Sequence, residues 1–234
     1  MTLSADAILH EDPHLLVVNK PCGVLTQAPV GLPSVAELAR EYIRVKYAKP
    51  AGVYLAVSHR LDRPVSGVLL FCRNTKAAQR IQAQFEARTV AKTYWALVPG
   101  IPGECEFTWS DQLRKLPDEA HVVRAAAHEP GAKLAVLQGR ILGRAANGAA
   151  HLELQPSTGR THQLRVQCAW RGLPILGDEQ YGSAVAFGPP AELLRDRWIA
   201  LHARRLEFDH PFTKRRLSIV APLPPAWPEV ECTA

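Results

Sequence analysis

Three stretches with helical spacing are set irregularly among eight short strand-like runs, and this order limits the fold more than any other feature of the chain. The strand-like runs cover 15–20, 53–62, 67–74, 91–100, 132–142, 151–157, 198–208 and 217–223, and the helical stretches cover 33–47, 75–88 and 160–172. Ser34 and Glu37, three residues apart, predict a capping box at the first helix. Ala77, Ile81 and Phe85 line one face of the second, opposite Lys76, Arg80 and Arg88. Gly172, with Pro174 beyond it, predicts the end of the third. Asn147-Gly148 predicts a hairpin turn between 132–142 and 151–157. A parallel doubly wound sheet needs strict strand–helix alternation, which this order lacks, so the expected class is α+β.

A chain of 234 residues has room for one domain, or for two subdomains sharing a core. With 47% hydrophobic and 21% charged residues it has the composition of a folded protein rather than a disordered one. The net charge of +6 points to a polyanionic partner. Its five cysteines are scattered and show no Cys-x-x-Cys spacing, the pattern of free thiols in a reducing compartment rather than of a disulfide framework or a zinc site. Acidic residues at 6, 11 and 12 precede any long apolar stretch, and no run approaches the ~18 apolar residues of a membrane span. The expectation is a soluble cytoplasmic protein. No P-loop, dinucleotide fingerprint, His-Glu-x-x-His or Gly-x-Ser-x-Gly string is present, so neither a nucleotide cofactor nor a catalytic metal is expected.

Four features carry chemistry. In "SHRLDRPVSG" (58–67) a single carboxylate, Asp62, lies between Arg60 and Arg63. Strand alternation would place Arg60 and Asp62 on one face. Opposite charges ~4 Å apart at an effective dielectric of ~20 attract by roughly 4 kcal/mol, which holds such an acid ionised. In "QPSTGRTHQLR" (155–165) a small-residue turn feeds a helix expected to start with Arg160, Thr161 and His162, where free amides and Arg160 suit an anion. On that helix Arg165 would lie ~140° around from Arg160, so the two would serve different spots. In "AKTYWALV" (91–98) Lys92 and Tyr94 share one strand face. Finally, residues 73–92 and 204–216 form two basic stripes suited to a phosphate backbone. Each feature alone also has a plain structural explanation: an ion pair, a capped helix, a core aromatic, a solvated face.

Their order along the chain resembles the RluA family of pseudouridine synthases. The blocks are "VVNKPCGVLTQ" (17–27), "HRLDRPVSGVLLF" (59–71), "AKTYWALV" (91–98), "STGRTHQLRV" (157–166) with "GLPILGDEQYG" (172–182), and "LHARRLEFDHP" (201–211). The resemblance implies a mixed, mostly antiparallel sheet with flanking helices, and a cleft between two α+β halves of one catalytic domain over 1–234. It implies cofactor-free isomerisation of uridine to pseudouridine in a stem-loop of ribosomal or transfer RNA. By the same resemblance Asp62 is the catalytic carboxylate, Tyr94 stacks on the target base and helps remove the carbon 5 proton, and Arg165 pairs with Asp62. Arg60 would fill the space left by the flipped nucleotide, with Arg63, Lys92, Arg160, His162 and Leu164 completing the RNA-binding set.

Two places depart from the family pattern. Pro64-Val65 follow the motif where an acidic residue and Thr are usual, and Gln167 stands where many relatives have His. The first family block begins almost at once, which implies a compact member without the small RNA-binding domain many relatives carry in front; a monomer is the default expectation. Two other readings are an inactive RNA-binding or RNA-chaperone protein of the same fold, and a hydrolase needing a second acid, for which Asp178 is the candidate.

Overall fold

The computed structural model describes residues 3–29, 32–49, 52–117, 119–145 and 148–232. In chain order its elements are β1 (Ile8–Glu11), β2 (Leu15–Lys20), α1 (Val35–Lys46), β3 (Ala56–Val57), β4 (Ser66–Cys72), α2 (Thr75–Glu86), β5 (Ala91–Val98), β6 (Glu106–Lys115), β7 (Val122–Arg124), β8 (Lys133–Ala145), β9 (Ala150–Pro156), α3 (Gln163–Trp170), β10 (Leu201–Asp209), β11 (Arg216–Val220) and β12 (Val230–Cys232). The class is α+β, as the order of runs predicts. The chain divides into two compact units, Met1–Ala91 with Glu192–Asp196 and Ala203–Pro224, and Lys92–Ala191 with Arg197–His202 and Pro225–Ala234.

In the first unit the strands run in the order β1-β2-β4-β10, with β3 also on β4 and β11 antiparallel to β10. One face is closed by α2: Ala77 and Ile81 pack with Leu15 and Val17 of β2, Val68 and Leu70 of β4, and Leu206 and Phe208 of β10. Their strand neighbours Leu16, Val18, Leu69 and Phe71, which alternation turns to the other face, are equally buried. A strand covered on both faces reads as a continuous apolar run, which is why Val68–Phe71 shows no alternation. Gly67 lies at φ +113, and a Cβ there would stand 2.3 Å from the Ala203 carbonyl oxygen, so only glycine allows this approach of β4 to β10. Ser34 caps α1 by accepting from Glu37 N at 3.3 Å, and Asn74 caps α2 from Ala77 N at 2.9 Å.

The second unit has the order β5-β9-β8-β6-β7, with β12 on β8, and these pairs are antiparallel. Val166 of α3 packs on Leu113 of β6, Val122 of β7 and Ala135 of β8. The helix ends as Gly172 predicts: Gly172 N donates to Ala169 O and Leu173 N to Cys168 O, with Gly172 at φ +71, a Schellman closure. Asn147 of the expected hairpin turn lies outside the described residues, while Gly148 holds φ +82 between β8 and β9.

Two of the expected elements differ in extent. The strand expected over 53–62 shrinks to Ala56–Val57, and 58–65 form a loop. The third helix starts at Gln163 rather than Arg160, because His162 takes a left-handed conformation (φ 50°) that helix geometry excludes. Strand β6 was not foreseen. Its inner face reads Phe107, Trp109, Asp111, Leu113, and the buried acid interrupts the apolar alternation. Asp111 is compensated by Gln167 Nε2 at 2.8 Å, Arg171 at 2.9 Å and Arg124 at 3.3 Å.

Candidate active site

The residues 58–65 are held as a loop by groups from the β2–α1 segment and from β4. Thr26, itself buried, donates its hydroxyl to Leu61 O at 2.8 Å and accepts Leu61 N at 3.1 Å, so both backbone groups of Leu61 are satisfied by one side chain. The Leu61 side chain is buried while its neighbour Asp62 is half-buried. His59 Nε2 accepts Leu70 N at 3.0 Å, which fixes a neutral ring with its proton on Nδ1. The same ring rests on Phe85 of α2, centroids 5.3 Å apart.

Behind Asp62 the chain turns, with Val65 N donating to Asp62 O at 3.1 Å. Pro64 occupies the third position of that turn, where its missing amide deprives the closing bond of nothing. Lys20, fully buried at the end of β2, donates Nζ to Pro21 O at 2.9 Å, Arg63 O at 3.1 Å and Val65 O at 2.6 Å. Burial lowers its pKa to about 7, against the opposing pull of Cys22 and Asp62. Arg63 anchors the loop twice: its carbonyl accepts Gly23 N at 2.9 Å, and its guanidinium donates to Gly23 O at 2.8 Å and Asp196 Oδ1 at 2.6 Å. Arg60 is exposed. Because these residues form a loop, the strand alternation expected to align Arg60 with Asp62 does not apply.

In the second unit, Tyr94 on β5 pairs with Leu154 of β9 and is half-buried. Lys92, two residues before it, donates Nζ to Thr158 O at 3.2 Å. The segment 157–163 is braced on β8. Thr158 Oγ1 accepts Val136 N at 2.9 Å and bonds Gln163 Oε1 at 2.8 Å, while Gln163 Nε2 donates to Val136 O at 3.0 Å. Arg160 lies outside the helix, half-buried, with Nε on Leu134 O at 2.9 Å. The expected angle between Arg160 and Arg165 on one helix therefore has no counterpart. Leu164 is buried.

Arg165 is 4% exposed and Asp178 1% exposed, and they form a bidentate pair with both bonds at 2.7 Å. Arg165 also donates to Gln180 Oε1 at 2.8 Å and lies 4.8 Å over the Tyr181 ring. Tyr181 in turn accepts Val122 N at 3.0 Å and shares a hydrogen bond of 2.7 Å with His162 Nδ1. With both oxygens on Arg165, Asp178 is a positioning group rather than the second acid a hydrolase would need.

Sequence reasoning gave no role to Lys20 and Thr26, although both stand in the "VVNKPCGVLTQ" block. A lysine inside an apolar strand was the available signal, since an unpaired charge cannot be buried there. No group of His, Cys, Asp and Glu suited to a metal ion occurs among the described residues, and none of their helices is long and apolar enough to cross a membrane.

Comparison with known proteins covers the sequence of both constellations. Residues 14–170 match the model of the RNA pseudouridylate synthase family. The chain is 36% identical over 217 residues to ribosomal large subunit pseudouridine synthase C of Vibrio cholerae, covering 92% of this chain but only 65% of that protein. It is 34% identical over 225 residues to the dual-specificity RNA pseudouridine synthase RluA of Pasteurella multocida, covering 92% of each. Among solved structures, human RNA pseudouridylate synthase domain containing 4 superposes with a TM-score of 0.75 at 27% identity, over 94% of this chain and 89% of that one. A half-buried aspartate on a loop clamped from β2 and β4, in a chain matching that family model over both the loop and the braced 157–163 segment, has one consistent reading: the chain belongs to the RNA pseudouridylate synthase family.

Proposed function

We propose that this chain converts uridine to pseudouridine in structured RNA, with Asp62 as the catalytic carboxylate. The observation that carries the reading is the loop itself. Thr26, Lys20 and Arg63 fix the backbone on both sides of Asp62, while the carboxylate stays half-exposed. Fixing a charged group before substrate arrives is what a reaction at a sugar carbon needs.

In this reaction the bond from C1′ to N1 breaks and a bond from C1′ to C5 forms. The proton on C5 leaves and N1 gains one, so the product is an isomer and no redox partner enters. Asp62 acts either as nucleophile at C1′ or as base at C2′, and both roles need the ionised form. Tyr94 stacks on the flipped base, a contact worth ~1–3 kcal/mol that offsets unstacking. Arg165, held by Asp178, Gln180 and Tyr181, is proposed as a fixed cation of the reaction. Arg60, Lys92, Arg160 and His162 contact the RNA. Arg63 adds its charge while anchoring the loop, and Leu164 is an apolar wall.

Relatives are named for ribosomal RNA of the large subunit, for dual specificity and for tRNA. The proposed substrate is therefore a ribosomal or transfer RNA stem-loop, and the place of action the cytoplasm. The test is tritium release from total RNA labelled at uridine C5, taken from a strain lacking this gene. Wild-type protein should release tritium and Asp62→Ala none. Tight binding of that RNA by both proteins without release by either would refute the enzyme and leave a binding protein.

A further inference from the structure

The sequence carries two separate basic stripes, and in the first unit the fold joins them into one surface. Helix α2 presents Lys76, Arg80 and Gln84 at four-residue spacing, one row along its length, and Arg88 follows just past its end. This row is laced to the turn between β10 and β11. Arg80 donates to Pro211 O at 2.9 Å and covers the Phe212 ring at 4.6 Å. Gln84 and Asp209 exchange two bonds, of 2.7 and 2.8 Å, and Arg216 donates to Thr89 O at 3.2 Å. Lys76, Arg80, Arg88, Lys214, Arg215 and Arg216, all exposed, outnumber the carboxylates Glu86 and Asp209 on this rim.

Two of these cations occupy positions that favour glycine. Arg88 (φ 57°) follows the C-cap of α2, where Arg88 N donates to Phe85 O and Thr89 N to Gln84 O in a Schellman closure. Lys214 (φ 61°) sits in the turn where its own N donates to His210 O at 3.0 Å and His210 N donates to Arg215 O at 2.9 Å. A long side chain in the left-handed region costs stability that glycine would not. Charge placed at that cost, twice on one rim, points to use rather than to turn formation. Phe85, in the last turn of α2, touches His59 of the Asp62 loop, so the rim adjoins that loop.

We propose that this rim, formed by the C-terminal half of α2 and the β10–β11 turn, grips the phosphate backbone of the RNA arm that flanks the target uridine. The inference rests on the RNA-modifying reading of the Asp62 loop. Its contacts are ionic and carry no base preference, so they set affinity and register while the loop selects the nucleotide.

The test is the double variant Arg88→Gly/Lys214→Gly, with Arg215→Gln as a second variant outside both left-handed positions. The probe is a fluorescein-labelled RNA hairpin with uridines in its loop, followed by anisotropy across a salt series. The double variant should melt at the same or a higher temperature than wild type. It should bind about tenfold more weakly at 0.15 M salt, with a log–log salt slope shallower by about 1.5. Arg215→Gln should lose about half of both on a logarithmic scale. Unchanged affinity and slope in both variants, with wild type releasing tritium from uridine-labelled RNA, would overturn the rim and leave the catalytic reading intact. Weakened binding and a shallower slope, with no release by wild type, would support the rim and overturn the catalytic reading.

Discussion

Lys20→Met tests the clamp behind the Asp62 loop, because it keeps the length of the side chain and removes only the charge and the donors. In the wild type Nζ serves Pro21 O, Arg63 O and Val65 O. After substitution Arg63 O keeps Gly23 N, while Pro21 O and Val65 O lose the lysine donor. At ~1–3 kcal/mol for each orphaned buried group, partly offset by an apolar side chain in an apolar site, the loss is about 2–4 kcal/mol where the wild-type lysine is neutral. The pH dependence is the sharper signature. Burial brings the folded-state pKa from 10.5 down to about 7. Between these values the unfolded chain binds the extra proton, so stability rises with pH across that window. Integrated from pH 6 to pH 9, the rise is about 2.6 kcal/mol from this one group. Lys20→Met should lack it, so the variant falls further below wild type at pH 9 than at pH 6. Urea denaturation at both values measures the difference. Parallel stability curves for the two proteins would refute the buried titrating lysine, and equal stability at pH 9 would refute the carbonyl clamp.

Gly67→Ala places a Cβ 2.3 Å from Ala203 O at φ +113 and should cost about 3 kcal/mol or more, read as a fall in the urea midpoint. Asp178→Asn leaves Arg165 buried beside a neutral amide; thermal or chemical unfolding should show a loss of about 3–5 kcal/mol, and a loss under 1 kcal/mol would mean that Arg165 finds another counterion. His151 is buried, with its pKa lowered by desolvation to about 4. The unfolded chain binds the proton first as pH falls below 6.5, so His151 costs stability progressively between pH 6.5 and 4, up to about 3 kcal/mol. His151→Phe should flatten that part of the pH–stability profile measured by thermal melting.

Much of this architecture was legible because local rules and tertiary packing agree in it. Leu15–Lys20, Val68–Phe71, the Ser34 cap and the Gly172 closure each obey a rule that acts over a few residues. The misreadings have one cause, a side chain that answers to a distant partner rather than to its neighbours. Residues 58–62 carry strand-like residues but are drawn out of a strand by Thr26, which takes both backbone groups of Leu61. Helix α3 loses its first turn to Gln163, whose side chain bonds Thr158 and Val136 and holds Arg160 N outside the helix at 3.1 Å. Strand β6 hides behind Asp111, whose compensating Gln167, Arg171 and Arg124 come from elsewhere in the sequence.

The same contrast separates the residues that motif reading finds from those it misses. The motif points to Asp62 through its two flanking arginines, yet those arginines are not equivalent: Arg63 is spent on Gly23 and Asp196, and only Arg60 is exposed. The loop is held by Lys20 and Thr26, which stand 42 and 36 positions earlier in the sequence. Likewise Arg165 draws its orientation from Asp178, Gln180 and Tyr181, in the block 172–182, to which motif reading assigns no partner for Arg165. Each proposed catalytic charge thus depends on a buried polar group from a different block. The spacing of blocks along the chain is what allows that pairing to form, and a point change in Lys20 or Asp178 should disable the site while every residue proposed to touch the uridine stays in place.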